Sequence, residues 1–173
     1  MIKIGVCGHF GGNRNFLDGQ TVKTKIITRE LQKKYGDAEV KKVDTFGGKR
    51  RLVPIILNLI SLVLSCKNII ILPAHNSLRI FAPLLAFVNS FYHRKLHYVV
   101  IGGWLPEFVA KRKFLRKALM KFDCIYVETN TMKNKLEAIL ESMESGVIAI
   151  DNNENIILIN SYSQKLFDLK EDN

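Results

Sequence analysis

The residue types that can do chemistry in this chain recur at one kind of place, the end of an apolar run. Gly11 and Gly12 follow IKIGVC, His75 and Asn76 follow NIIIL, Gly102 and Gly103 with Trp104 follow LHYVVI, and Glu128 follows CIYV. Ligands of open α/β sheets are held at such carboxyl ends of strands. The first loop, GHFGGNRNFLDGQT, is the richest. Glycines there let backbone approach a ligand, and the amides opening the next helix suit an anion. Turn geometry alone explains the same glycines. The loop has neither the dinucleotide spacing G-x-G-x-x-G nor the triphosphate ending Gly-Lys-Ser/Thr. Thr21 reads equally as a helix cap and as a ligand contact.

His75 reads as a base, as a partner for a sugar hydroxyl, or as a histidine serving loop carbonyls. Trp104 beside two glycines suits stacking on an apolar sugar face or a base. With Pro106 and Glu107 behind it, it equally suits an ordinary helix start. Glu128 is the acid best placed to face a cleft. His9 sits after the first strand much as His75 sits after its own, while His93 and His97 flank a basic turn and read as solvated. No His-Glu-x-x-His or carboxylate-pair spacing occurs, so neither metal nor cofactor is expected.

The elements that must position these groups alternate. Strands are predicted over 2–7, 40–43, 68–72, 96–101 and 124–127, and helices over 21–35, 52–65, 78–91 and 106–121. Gly36 reads as a helix terminator, Pro54 as tolerated in a first turn, and Val40–Val43 as edge-leaning because lysines interrupt it. This alternation with short connections predicts a doubly wound, mostly parallel α/β sheet over residues 1–130. Residues 131–173 change grammar. They read as a helix over 131–145, two short β runs at 146–150 and 155–159 joined by DNNE as an antiparallel hairpin, and a short helix over 161–167.

Composition narrows the partners. The 173 residues suffice for one well-packed domain or slightly more, and 47% hydrophobic with 24% charged residues is ordinary for a globular protein. Cys7, Cys66 and Cys124 are widely spaced within apolar runs, which predicts reduced, buried thiols in a cytoplasmic setting. The N-terminus reaches glycines too soon for a signal peptide. The apolar run 52–65 is too short for a membrane span, which needs about 20 residues. The net charge of +10 is uneven, with 22 Lys/Arg against 7 Asp/Glu up to Tyr126 and 4 against 9 beyond it. Basic surface serves nucleic acid, anionic lipid or a phosphorylated substrate. No nucleic-acid motif accompanies it, so nucleic acid is not the expected partner. Lys111, Arg112, Lys113, Arg116 and Lys117, interleaved with apolar residues, form a basic amphipathic helix. Such a helix either lies on anionic membrane or presents a solvated face.

Taken in order, Gly11-Gly12, then GQTVKT at 19–24, IIILPAHNS, YVVIGGWLPEF and YVETNTMKNKL, residues 1 to about 137 resemble the acceptor-side N-terminal domain of a two-Rossmann-domain (GT-B) glycosyltransferase. The likeness is to the retaining family 4 type, as in bacterial members that build capsular or cell-surface polysaccharide. From about Leu136, KLEAILESMESGVIAIDNNENIILINSYSQKLF resembles the opening of a PAS sensor domain. The residues after 137 do not read as a second Rossmann domain.

The resemblance implies transfer of a sugar from a nucleotide-sugar to a glycan or lipid-linked acceptor. It implies a donor-binding half supplied by a partner subunit, and inactivity without it. It places Gly11 and Gly12 near donor phosphates or the transferred sugar, with Thr21, His75, Asn76, Gly102, Gly103, Trp104 and Glu128 along the cleft. His75 and Glu128 are the candidate catalytic groups. The basic helix would face the membrane, making the protein peripheral at the inner face of the cell membrane. The alternative is a non-catalytic scaffold, or a sensor module whose tail helix pairs two chains into a homodimer.

Overall fold

The structure, a computed structural model, describes residues 2–12, 18–140, 146–150 and 156–159. It is α/β, with parallel strands alternating with helices in the Rossmann-like manner expected, and it divides into two compact units, 1–96 and 97–173.

In the first unit β1 (Ile2–Gly8) pairs in parallel with β2 (Val40–Asp44) on one side and β3 (Cys66–Leu72) on the other. Helix α1 (Gly19–Tyr35) connects β1 to β2, and α2 (Leu52–Ser65) connects β2 back across β1 to β3. Parallel crossovers are right-handed, so two made in opposite directions put their helices on opposite faces of the sheet. The side chains agree. A Cβ on Gly5 would meet Leu62 of α2 at 3.0 Å, and one on Gly8 would meet Thr24 of α1 at 2.7 Å. Alternate residues of β1 therefore face different helices, and the unit is doubly wound. Helix α3 (His75–Tyr92) packs on α2. The core between helices and strands holds Val6, Leu59, Leu62, Ile69, Ile71, Leu78 and Leu85, all essentially without solvent contact.

Local chemistry sets the boundaries. Helix α1 is capped by the Asp18 carboxylate, which accepts from Thr21 N, and it ends at Gly36 with φ 91°. Helix α2 spans the predicted residues. Helix α3 begins three residues before the predicted Leu78, because Ala74 is extended and its carbonyl accepts from Leu78 N. Its first turn is the polar His75-Asn76-Ser77, which reads as loop in the sequence. Pro83 lies within the helix.

In the second unit β4 (Lys95–Val99), which begins at the division, pairs in parallel with β5 (Cys124–Val127) over His97–Val99. β5 pairs in parallel with β6 (Gly146–Ile150), and β6 pairs antiparallel with β7 (Ile156–Ile159), the predicted hairpin. The hairpin thus continues the sheet that β5 belongs to. The helix predicted over 106–121 is instead two, α4 (Leu105–Ala110) and α5 (Lys113–Leu119). Arg112 breaks it at φ −137°, ψ 86°; its amide donates to Val109 O and its guanidinium to Phe108 O. An unbroken helix would give that Phe108 carbonyl to the Arg112 amide. Helix α6 (Asn130–Leu140) follows β5 and is capped by Thr129 Oγ1, which accepts from Met132 N. The rest of its predicted span, the turn 151–154 and the helix predicted over 161–167 lie outside the described residues. Among the described residues no helix is long and apolar enough to cross a membrane.

Candidate functional site

The carboxyl edge of the first unit carries the most complete constellation. Gly11 and Gly12 adopt left-handed backbone, φ 84° and 57°. Asp44, the last residue of β2, holds this loop against the sheet. Its Oδ1 accepts from Phe10 N and Phe46 N, both at 2.9 Å, and its Oδ2 accepts from Gly12 N at 2.8 Å. A Cβ on Gly12 would come within 2.8 Å of the Phe46 ring, so glycine is required there for space as well as for φ. In dinucleotide-binding folds an acid near this position accepts from ribose hydroxyls. Here both carboxylate oxygens accept backbone amides, which agrees with the missing G-x-G-x-x-G spacing.

Beside this loop Asp18, Thr21 and His9 form a chain. Thr21 Oγ1 donates to Asp18 Oδ2 at 2.7 Å and lies 2.6 Å from His9 Nδ1. An ionised carboxylate only accepts, so the single hydroxyl proton points at Asp18 and His9 Nδ1 donates to Thr21. In the neutral ring Nε2 is then the acceptor nitrogen. The bonds from Thr21 hold the Asp18 carboxyl below its ordinary value, which keeps this polarity at neutral pH. Thr21 is itself fully buried, and of its two readings the helix cap is taken by Asp18 instead. His9 is half-buried and edges the Phe46 ring, with centroids 5.8 Å apart. Gln20, one residue before Thr21, donates to Leu72 O at the end of β3 and ties the helix start to the same sheet edge.

On the α2 side of that edge lies an open pocket of about 660 Å³, lined by Thr45, Leu52, Ile55, Arg79 and Phe81 among others, with Asn76 and Ser77 from the first turn of α3. Asp44 fastens the glycine loop and Thr45 lines this pocket, so adjacent residues connect the two features. Asn76 is therefore brought to a pocket. His75 is exposed at the first position of α3.

The remaining candidates belong to the second unit. Gly102 has φ 82°, and the Trp104 indole N–H donates to Ile101 O at 2.9 Å across that turn. Trp104 and Phe108 meet in a T-shaped pair with centroids 5.4 Å apart. Gly103 is exposed and Glu128 half-buried after β5. In the basic segment Lys111, Lys113 and Lys117 are exposed and Arg116 is half-buried. Arg112 folds back over the Phe108 ring, 3.9 Å from its centroid. His97, read as solvated, is half-buried with Nδ1 3.3 Å from the Tyr126 hydroxyl. The sequence reading gave no role to Asp18, Asp44 or Lys133, the last of which is buried on α6. The signal for Asp18 was legible, an Asp three residues before a Thr at a helix start. Nothing in the sequence points Asp44 at a loop more than 30 residues earlier.

Compared with family models, curated proteins and solved structures, the chain matches none.

Proposed function

We propose that the chain is the acceptor-side half of a glycosyltransferase, moving a sugar from a nucleotide-sugar to a cell-surface glycan or lipid-linked acceptor together with a donor-binding half. The observation that carries this reading is the Asp44-fastened glycine loop beside the Asp18–Thr21–His9 chain. Backbone amides held in place stabilise the charge of a departing diphosphate without reorganising when it forms. His9, hydrogen-bonded to Thr21, stands beside this loop as a candidate contact for a sugar hydroxyl. The neighbouring pocket, with Asn76 and Arg79 polar and Leu52, Ile55 and Phe81 apolar, suits an acceptor with both a hydroxylated and an apolar part. Gly102, Gly103, Trp104 and Glu128, at strand ends of the second unit, are proposed by themselves as acceptor contacts, with Glu128 and, in the first unit, His75 as further candidate acid–base groups. In a retaining transfer of this type the donor phosphate itself takes up the acceptor proton, so these groups orient more than they transfer.

The test is complementation. The chain is mixed with, or fused to, the donor-binding domain of a two-domain retaining transferase, and release of nucleoside diphosphate is followed with lipid-linked and free glycan acceptors. Turnover that needs both halves and falls at least tenfold in His9→Ala supports the reading. Absence of binding and turnover with every donor half tried leaves the non-catalytic scaffold as the better account.

A further inference from the structure

We propose that the outer face of α2 and α3 docks on an anionic lipid bilayer, at a surface distinct from the basic α4–α5 segment. A surface helix ordinarily turns charged side chains outward. Helix α2 has no charged residue in its 14 positions, and α3 has one Lys/Arg, Arg79, and no Asp/Glu in its 18. Beside a few polar residues such as Asn58 and Ser90, their exposed positions are largely apolar. Val53, Leu57 and Leu64 of α2 are 68%, 61% and 49% exposed, and Phe87, Phe91 and Tyr92 of α3 are 66%, 68% and 42% exposed. Leu57 and Leu64 lie 4 and 11 positions after Val53, and Phe87 and Phe91 lie 7 and 11 after Ile80, all close to whole turns, so each of these sets lies along one face of its helix, with Tyr92 flanking the second. The two helices pack on each other within the first unit, and Phe87 and Phe91 meet edge-on at 5.7 Å.

Charge selects the occupant. Between Asp44 and Glu107 the sequence has no Asp or Glu and seven Lys/Arg. Of these, Arg50 and Arg51 precede α2, Arg79 lies on α3, and Lys95 follows it, all four exposed. An apolar face with aromatic side chains and a rim of one sign is complementary to anionic headgroups over an acyl layer. A second copy of the same face would bring like charges together. Helix α2 is about 21 Å long against a hydrocarbon core of about 30 Å, so the helices lie on the bilayer and do not cross it. Ile80 is both exposed and part of the pocket lining, so the pocket borders the docking face.

The full chain is tested by co-sedimentation with phosphatidylglycerol and with phosphatidylcholine vesicles. The expected result is binding to the anionic vesicles that weakens with salt. It should weaken roughly tenfold in F87S/F91S and in R50E/R51E, and change less than about twofold in K113E/K117E. Circular dichroism confirms folding, and V53S/L57S provides the same readout should the phenylalanine pair be needed for folding. Three results would overturn the proposal: no binding to anionic vesicles, binding lost only in K113E/K117E, or a lipid-free dimer that F87S/F91S dissolves. None of these readouts depends on sugar transfer, so the docking face stands or falls separately from the proposed function.

Discussion

A methyl group at Gly12 would meet the Phe46 ring at 2.8 Å on a backbone with φ 57°. Left-handed backbone costs an L-residue about 1–2 kcal/mol, and displacement of Phe46 adds to that. Gly12→Ala is therefore expected to lower stability by about 2 kcal/mol, read by urea denaturation. Gly103→Ala has open space around its Cβ and should change little. Asp44→Asn trades an acceptor-only carboxylate for an amide that cannot accept from three backbone N–H groups on two oxygens. A loss of about 1.5–3 kcal/mol is expected, with faster hydrogen exchange at Phe10 and Gly12. Cys7 adds a pH dependence. Burial, and then Asp44, raise its thiol from 9.0 to about 12. Its folded value lies above the unfolded one, so the stability it contributes is complete below pH 9 and is lost as pH rises toward 12. Unfolding releases its proton there, so stability should fall by about 1.4 kcal/mol per pH unit. Burial raises the Tyr98 hydroxyl as well, steepening the fall above pH 10. Cys7→Ala should flatten the first part of that curve.

Among the helices, α2 separates core from surface within one turn. Leu59 is fully buried and Leu57 is 61% exposed. Leu59→Ala should cost about 2–5 kcal/mol, and Leu57→Ser within about 0.5 kcal/mol, both measured by thermal or urea unfolding. The contrast shows what was legible in the sequence. An apolar run with Pro54 at its start gave α2 its bounds, and the strand-forming Ile125, Tyr126 and Val127 gave β5, because burial and propensity agreed there. The exposed side of α2 was not legible, since a wholly apolar helix reads as buried all round. The split of 106–121 was hidden too. Periodicity continues across Arg112, and only its return to the Phe108 carbonyl and ring breaks the helix. At the site, strand ends and glycines were readable because local geometry demands them. The Asp44 clamp and the His9–Thr21 contact join residues 32 and 12 positions apart, and no local pattern reports such pairs.

For the molecule as a whole, charge and fold make separate statements. The parallel α/β units come from alternating apolar strands and helices, while the excess of Lys/Arg up to Tyr126 concerns what those units meet. The hairpin β6–β7 pairs with β5 through β6, so residues 146–150 and 156–159 lie in the sheet of the second unit. All three cysteines are buried, and native protein should resist alkylation at pH 8 until it is unfolded. We propose the Asp44-fastened glycine loop as a sugar-phosphate site. Amide chemical shifts followed during titration with nucleotide-sugar or nucleoside diphosphate, with the donor-binding half present, test it most directly. Saturable shifts at Gly11, Gly12 and Thr21 are expected, and they should disappear in Asp44→Asn. Shifts that bypass this loop, or no shifts while the donor half is saturated, would contradict it.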